Sequence, residues 1–275
     1  MRIVRDARLK GFLRVPFRLA GPPPSLLDTL AELPRVLLEA QSLALNWSAL
    51  VKRLPKGNGH GVLVMPGFGA DDTSTFLLRE LLLRLGYDAL PWKLGRNTGR
   101  PELERRLLVR ARQLFRLTDG KMTLIGQSLG GVFAREVARA FPDHVRQVIT
   151  LGSPFGSTHA TSTTPVVRRL FELLSGLKPE DLQARAYDLK TPPPVPVTAI
   201  YSKTDGIVAW RACLEQESHQ TENIEVLGSH SGMAVNPSVI RIVADRLAQP
   251  EDQWRKFAPP HESLWMYPNM ATQAH

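Results

Sequence analysis

The chain has 275 residues, of which 43% are hydrophobic and 22% charged, as is ordinary for a globular protein with one large or two small domains. Its formal net charge of +9 suits anionic partners, but no nucleic-acid-binding motif accompanies the charge, so we do not expect nucleic acid to bind. The single cysteine, Cys213, excludes an intrachain disulfide and a zinc-type cysteine cluster, and we expect neither a metal nor a cofactor.

Residues 1–55 are predicted to form a basic and helical segment that packs on the body of the protein. Arginine and lysine residues alternate with apolar ones before residue 19, a pattern also compatible with peripheral contact at a membrane surface. These charges interrupt the apolar core that a signal peptide needs, and no apolar run is long enough to span a membrane, so the expected location is cytoplasmic. Leucines at helical spacing in residues 25–54 predict a helix that breaks at Pro34.

Residues 56–250 are predicted to form the core domain, because short apolar runs alternate there with amphipathic stretches. The short runs suit strands that are buried on both faces, and the stretches between them have apolar residues at helical spacing. Such alternation predicts an α/β protein with a mostly parallel sheet of about six strands and helices on both faces. The predicted strands are 61–65, 87–92, 121–125, 147–151, 197–201 and 223–227, and the predicted helices are 73–85, 101–117, 129–141 and 236–250.

Two segments fall outside this alternation. Residues 156–192 separate the fourth and fifth strands, as an insertion would, and contain two predicted helical pieces at 165–175 and 179–188. Residues 251–275 form a C-terminal tail whose aromatic side chains are expected to pack over the body.

The stretch GQSLGG at residues 126–131 places a serine among glycines where the third strand ends and a helix begins. Ligands of parallel sheets bind beyond the carboxyl ends of the strands, so Ser128 lies at the expected binding edge. A tight turn there would strain the serine backbone and project its hydroxyl above the sheet, and crowding beside it would require glycine at positions 126 and 130. The following helix directs its N-terminus at the site, which favours developing negative charge. Ser128 is therefore the predicted nucleophile.

A serine hydroxyl needs a general base, and the base needs an acid that orients it. His230, in GSHSGM, follows the sixth strand at the same edge, and Asp205, in TDGIV, follows the fifth. His159 also follows a strand at this edge, but it lies within the polar insertion. We predict His230 as the base and Asp205 as its acid. The other histidines lie at the opposite edge, in a predicted helix or in the tail: His60 and His144, His219, and His261 and His275.

The tetrahedral intermediate of acyl transfer also needs preorganised hydrogen-bond donors for its oxyanion. One predicted donor is the backbone N–H of Leu129, the residue that follows the nucleophile. The other is the backbone N–H of Phe68, in the glycine-rich loop after the first strand, where Gly67 allows a close turn.

GQSLGG, the PGFG loop, TDGIV and GSHSGM, in this order of strands, resemble the serine α/β-hydrolases, particularly bacterial lipases and carboxylesterases. The stretch TLGSPFGST at 150–158 is similar to the T-L-x-T-P-H-x-G-S run beside the lipase active site. The resemblance spans residues 60–248 and implies the α/β-hydrolase fold, with the same nucleophile, base, acid and oxyanion donors. It also implies that the insertion 156–192 is a lid or cap.

This resemblance implies hydrolysis of a carboxylic ester through an acyl-enzyme, with a small-molecule or lipid ester as substrate. The residues expected to contact substrate are Gly67, Phe155, which stands where those lipases have a histidine, and Phe171 and Leu174 of the insertion. Two alternatives remain open: an acyltransferase that uses the same three residues, and a binding protein that keeps the fold without turnover. The sequence leaves the acyl-chain length and the oligomeric state open.

Overall fold

The computed structural model describes residues 22–155, 163–176 and 191–271, which form a parallel sheet with helices on both faces. The strands are β1 (Gly61–Met65), β2 (Asp88–Pro91), β3 (Met122–Gln127), β4 (Val145–Leu151), β5 (Val197–Tyr201) and β6 (Thr221–Glu225). They form one six-stranded sheet in the order β2-β1-β3-β4-β5-β6, and every neighbouring pair is parallel. The predicted fold class is confirmed, and the carboxyl ends of β1, β3, β4, β5 and β6 meet at one edge.

Capping residues mark the ends of several helices. The side chain of Asn236 accepts the N–H groups of Ser238 and Val239, and Gly86 ends a helix with a φ of 94°, in the left-handed region where glycine is unstrained. The helices are α1 (Leu26–Arg53), α2 (Phe76–Leu85), α3 (Pro101–Phe115), α4 (Leu129–Ala140), α5 (Pro165–Ser175), α6 (Pro237–Ala248) and α7 (Pro268–Ala271). Short 3-10 segments lie at Pro142–His144, Trp210–Cys213, Met233–Val235 and His261–Met266.

The core lies on both faces of the sheet, because successive residues of each buried strand point to opposite sides. Val62 and Val64 of β1 pack with α1, α2 and α6, whereas Leu63 and Met65 pack with α3 and α4. Each fully buried side chain of this kind stabilises the fold by about 1.5–3 kcal/mol. The two apolar layers fix the strand ends, and the site is built on the loops that leave them.

Besides shifts of a few residues at element ends, two sequence predictions differ from the structure. Helix α1 continues through Pro34, although the sequence predicted a break there. An interior proline removes one backbone hydrogen bond, but buried side chains before and after it anchor the helix, Glu32 to the loop after β5 and Glu39 to the loop after β6. His219 lies in a turn rather than a helix, because Ser218 and Thr221 form a bridge around it and β6 begins at Thr221.

Part of the predicted organisation lies outside the described residues, namely the basic stretch up to residue 21, His159 and the helical piece at 179–188. Within the insertion, α5 coincides with the first predicted helical piece. In the tail, Phe257 and Tyr267 are buried in the cluster that contains α6. None of the helices in the described ranges is long and apolar enough to cross a membrane.

Candidate active site

Ser128 lies at the junction of β3 and α4 in a strained backbone conformation. Its φ of 51° and ψ of −124° fall in a region that residues other than glycine seldom adopt. Its N–H donates to the Leu151 carbonyl at the end of β4 (2.8 Å), and the Gly131 N–H donates to the Ser128 carbonyl (3.0 Å). The predicted strand–turn–helix junction is therefore present, with Ser128 at the N-terminus of α4.

Glycines flank Ser128 because backbones cross there at close range. A Cβ atom on Gly126 would lie 2.3 Å from the carbonyl group of Gly130, and one on Gly130 would lie 2.4 Å from the carbonyl oxygen of Met65. Neither clash could be relieved by a side-chain rotation, since the atoms met belong to the backbone. The steric reason predicted for these two glycines is confirmed.

Asp205 and His230 lie on the loops that follow β5 and β6, and they form a hydrogen bond. Oδ2 of Asp205 is 2.6 Å from Nδ1 of His230, and the two residues are only 4% and 6% exposed. Oδ1 of Asp205 accepts the N–H groups of Ile207 (2.8 Å) and Val208 (2.7 Å), which fixes the carboxylate. With Nδ1 donating to Asp205, Nε2 of the neutral imidazole is the acceptor.

The surroundings raise the pKa of His230 above its ordinary value. Burial by itself would lower this pKa, because it disfavours the charged imidazolium. The Asp205 carboxylate, through its charge and its hydrogen bond, and then the Glu32 carboxylate act in the opposite direction and prevail. An imidazolium that forms by accepting a proton is thus stabilised at this position, as a general base requires.

Ser128 and His230 are linked through packed neighbours. Within the described ranges no hydrogen bond joins the Ser128 hydroxyl to the imidazole, but Gln127, the residue before the serine, donates its side-chain N–H to the His230 carbonyl (3.1 Å). A Cβ atom on Gly152 would lie 3.2 Å from Nδ1 of His230. The imidazole therefore packs on the backbone immediately after Leu151, whose carbonyl accepts the Ser128 N–H.

The glycine-rich loop after β1 lies directly against Ser128. A Cβ atom on Gly67 would be 3.2 Å from the Ser128 Cβ. Among the residues that the structure describes, the backbone N–H groups of Phe68 and Leu129 take part in no hydrogen bond. Two free N–H groups thus belong to the segments on either side of the serine, where an oxyanion would need donors.

Asn97, which is fully buried, holds this loop in place. Its side-chain N–H donates to the Pro66 carbonyl (2.9 Å), and its own carbonyl accepts the Gly69 N–H (2.7 Å). Its side-chain oxygen accepts the Gly99 N–H (3.2 Å). The loop next to Ser128 is therefore fixed by a polar side chain that enters from the segment after β2.

Helix α5 of the insertion packs over the same edge. The Phe171 ring lies 5.1 Å from the Phe68 ring, and the Leu174 carbonyl accepts the side chain of Arg100 (3.0 Å). Phe171 is 5% exposed, and Leu174 is half-buried. Phe155 is buried deeper, with the guanidinium of Arg135 3.9 Å above its ring.

Helix α1 brings two buried carboxylates to the loops that carry Asp205 and His230. Glu32 accepts the N–H groups of Gly206 (2.8 Å), His230 (2.9 Å) and Ser231 (3.2 Å). Glu39 accepts the N–H of Ser229 (2.8 Å), and burial raises the pKa of its carboxyl group. The strand ends and α1 together enclose the Asp205–His230 pair.

The sequence matches a family model for the α/β-hydrolase fold over residues 65–196, the part of the chain that holds β2, β3, β4 and Ser128. The chain has the α/β-hydrolase fold. No curated protein matches its sequence.

Solved structures share this α/β-hydrolase fold. Aspergillus fumigatus lipase B superposes with a TM-score of 0.54 at 16% identity over 72% of this chain, which spans only 55% of that protein. Paleococcus ferrophilus monoacylglycerol lipase gives a TM-score of 0.52 at 17% identity, covering 70% of this chain and 95% of its own. One of the metagenome-derived lipolytic enzymes LipS and LipT gives a TM-score of 0.51 at 16% identity. The superposition covers 70% of this chain and 93% of that enzyme.

Two further titratable side chains of this α/β-hydrolase-fold protein, Cys213 and His60, have shifted pKa values. Cys213 is buried, and burial together with the Asp205 charge raises the pKa of its thiol, so it stays protonated. His60 lies at the opposite edge, where burial and Arg146 lower its pKa to about 4. In the described part of the chain no group of three His, Cys, Asp or Glu side chains could hold a metal ion.

Sequence reasoning missed three residues that shape the site: Glu32, Asn97 and Gln127. Gln127 lies inside the GQSLGG stretch, but its amide reaches a loop more than a hundred residues later, at His230. Glu32 belongs to a helix that precedes the core, and Asn97 to an irregular segment. Only their polarity amid apolar or glycine-rich surroundings could have drawn attention to them.

Proposed function

We propose that this protein hydrolyses carboxylic esters through an acyl-enzyme, with Ser128 as nucleophile, His230 as general base and Asp205 as the acid that orients the base. The observation that carries the proposal is the buried Asp205–His230 hydrogen bond of 2.6 Å at the sheet edge where a strained Ser128 stands. The lipases among the structural relatives add support at the level of fold.

In the acylation step, the Ser128 oxygen attacks the ester carbonyl carbon while Nε2 of His230 takes the hydroxyl proton. The Asp205 carboxylate stabilises the imidazolium. The carbonyl oxygen becomes an oxyanion that accepts the N–H groups of Phe68 and Leu129, and the N-terminus of α4 adds its positive end. His230 then returns the proton to the leaving alcohol, and the acyl group remains on Ser128.

In the deacylation step, water attacks the acyl-enzyme and His230 takes a proton from the water. The tetrahedral intermediate then collapses to the carboxylic acid while His230 returns the proton to the departing Ser128 oxygen. Among the hydrogen bonds between described residues, none joins the serine hydroxyl to the imidazole. Catalytic hydrogen bonds are often long before substrate binds, and the proposed step requires the Ser128 oxygen to come within hydrogen-bond distance of Nε2.

The side chains around Ser128 favour an apolar acyl group. Phe68 and Phe171 form an aromatic pair beside the proposed oxyanion donors, and Leu174 lies on the same helix as Phe171. We propose that α5 is part of a lid and forms the wall against which the acyl chain packs. Gly67 allows the substrate carbonyl to approach closely, and Phe155 supports the floor below.

The test is hydrolysis of p-nitrophenyl esters from acetate to palmitate, combined with labelling by a fluorophosphonate probe and mass spectrometry of the adduct. Ser128→Ala should lower kcat by about 10⁴-fold or more and abolish labelling. Ser74→Ala, at an exposed serine near the start of α2, is the matched control and should behave as the parent. Ester hydrolysis by Ser128→Ala at the parent rate would overturn the proposal, and added alcohol acceptors separate hydrolysis from acyl transfer.

A further inference from the structure

Helix α1 lies outside residues 65–196, which match the family model, yet its inner face contacts the loops that hold Asp205 and His230. Thr29 donates its hydroxyl to the Gly206 carbonyl (2.8 Å), and the side chain of Arg35 reaches the Thr204 carbonyl (2.5 Å). A Cβ atom on Gly206 would lie 2.3 Å from a backbone oxygen of α1. The helix thus packs backbone-to-backbone on the loop of Asp205.

Glu32 joins this loop to the loop of His230. A single oxygen, Oε1, accepts the N–H of Gly206 (2.8 Å) and the N–H of His230 (2.9 Å), and Oε2 accepts the N–H of Ser231 (3.2 Å). The residue is only 7% exposed. Charge-assisted hydrogen bonds of this kind are about twice as strong as neutral ones, so the carboxylate adds a strong link between the two loops.

Glu32 also contributes charge at the imidazole. The carboxylates that raise the pKa of His230 against the effect of burial are Asp205, from the β5 loop, and Glu32, from α1. Glu39 is 9% exposed on the same helix, but it bonds Ser229 and Asn236 instead. The two glutamates therefore form a natural comparison pair, since they have similar burial and different partners.

We propose that Glu32 is a positioning residue for the proposed ester hydrolysis, on which this inference rests: it locks the Asp205 and His230 loops in the register at which carboxylate and imidazole meet. Other bonds also join these loops, such as those from Ser202 and Thr204 to the Gly228 carbonyl (2.8 and 3.0 Å). Glu32, however, bonds the backbone directly beside Asp205 and at His230 itself. Misplacement of a catalytic group by about 1 Å can cost about 100-fold in rate.

The experiment compares Glu32→Gln with Glu39→Gln in the full chain. Glu32→Gln should lower kcat about 10- to 100-fold with little change in KM, and should move the acid limb of kcat/KM to lower pH, because the lost negative charge had favoured the imidazolium. The acid limb of Glu39→Gln should coincide with that of the parent. Thr29→Val removes the hydroxyl bonds to the Gly206 and Ser25 carbonyls and keeps Glu32. It should lower kcat by a smaller factor, and it replaces Glu32→Gln in the comparison if that variant does not fold.

An NMR titration of the His230 imidazole, assigned with His230→Gln, separates this inference from the proposed function. If Glu32→Gln and Thr29→Val leave both the titration and kcat unchanged, Glu32 has no positioning role. If the parent hydrolyses no ester while Glu32→Gln still lowers the pKa of His230, the proposed function fails, and the coupling of α1 to the imidazole stands.

The outer face of α1 carries an independent observation, because it is a continuous apolar surface. Its leucines are between 62% and 80% exposed: Leu26, Leu27, Leu30, Leu33, Leu37, Leu38 and Leu45. The charged residues in this stretch lie on the other side: Glu32 and Glu39 are buried, and Asp28 pairs with Arg35 (3.2 Å), which reaches Thr204. From Leu26 to Leu45 the face is about 28 Å long at 1.5 Å per residue.

The sequence just before this helix supplies charge. Residues 1–21 contain six arginine or lysine residues and one aspartate. An apolar helix face next to a basic segment matches the two signals of peripheral membrane binding, burial of apolar side chains and attraction to anionic headgroups. A second copy of the chain carries the same net charge of +9, so it is a poorer partner for this face than an anionic surface.

We infer that the leucine face of α1 docks on an anionic lipid bilayer, with its leucines in the interface and the basic side chains of residues 1–21 providing attraction to the headgroups. The helix would lie in the plane of the surface without crossing it. An ester-cleaving site on the inner side of the same helix would then be held next to lipid.

The test is co-sedimentation with vesicles of ether-linked phosphatidylcholine, alone or with about 30 mol% ether-linked phosphatidylglycerol, which contain no ester to cleave. The parent should bind the anionic vesicles and release them at about 0.5 M salt. Leu33→Gln combined with Leu37→Gln should weaken binding at least about tenfold, whereas Leu117→Gln, at a leucine 81% exposed after α3, should not. Absence of binding by the parent, equal binding by the double variant, or a parent dimer that the double variant converts to monomer would overturn the inference.

Discussion

Asparagine at position 205 tests the proposed chemistry most directly, because it keeps the shape of the side chain and removes its charge. In Asp205→Asn the amide oxygen can still accept the N–H groups of Ile207 and Val208, which lie 2.8 and 2.7 Å from Oδ1 in the parent. The amide nitrogen then faces Nδ1 of His230, which is 2.6 Å from Oδ2 in the parent. Since two donors cannot bond, the imidazole must carry its proton on Nε2, where it can no longer accept one from Ser128.

The expected loss follows from this change of tautomer. We expect kcat to fall about 10⁴-fold, or about 5 kcal/mol of transition-state stabilisation, with KM nearly unchanged. Burial, which lowers the pKa of His230, would no longer be opposed by Asp205, so this pKa should fall. Because the base acts in its neutral form, the acid limb of kcat/KM should move to lower pH.

The assay is steady-state hydrolysis of a p-nitrophenyl ester between about pH 5 and pH 9. Asp143→Asn, in the Pro142–His144 segment at the opposite end of the sheet, is the control and should match the parent. A kcat for Asp205→Asn within tenfold of the parent, or an acid limb that does not move, would refute the assigned role of the Asp205–His230 pair.

Further predictions concern stability and specificity. Gly130→Ala should destabilise the fold by more than about 3 kcal/mol in urea unfolding, because the new methyl group meets the Met65 carbonyl. Gly59→Ala, at a φ of 84° in open space, should cost only about 1 kcal/mol, and equal losses for the two variants would contradict the packing described for Gly130. Asn97→Ala should cost about 1–3 kcal/mol by leaving the Pro66 carbonyl without its bond, and should lower kcat through the Phe68 loop; an unchanged melting temperature would argue against this. Phe171→Ala should reduce kcat/KM for long acyl chains more than for acetate, and a uniform loss across the chain-length series would remove α5 from the acyl wall.

Much of the fold could be predicted from the sequence because its signals are local. Alternation of apolar runs with amphipathic helices indicates a parallel sheet, and the rule that ligands bind at strand ends selects Ser128, Asp205 and His230 from many candidates. The structure brings Asp205 and His230 into contact, as expected from loops that leave neighbouring strands. The direct contact of Ser128 with the imidazole stays a prediction.

The rest could not be predicted because it depends on contacts between distant segments. The bonds from Glu32 to Gly206 and His230 cross more than 170 positions of sequence, and periodicity shows only that one side of the helix is buried. The prediction of a helix break at Pro34 was wrong for the same reason, because packing on both sides of the proline offsets its local cost. Strand β3 runs on to Gln127, two residues beyond the predicted end, because it stays paired with β4 up to Leu151.

The lone thiol of the chain gives the Asp205 loop a built-in reporter. Cys213 is 1% exposed and packs with Val208, whose N–H fixes the Asp205 carboxylate. A thiol-modifying reagent can reach this sulfur only when that region opens, so the rate of modification measures how often the Asp205 loop opens. No second cysteine competes for the reagent, so the free energy of opening can be measured on the protein without introducing any substitution.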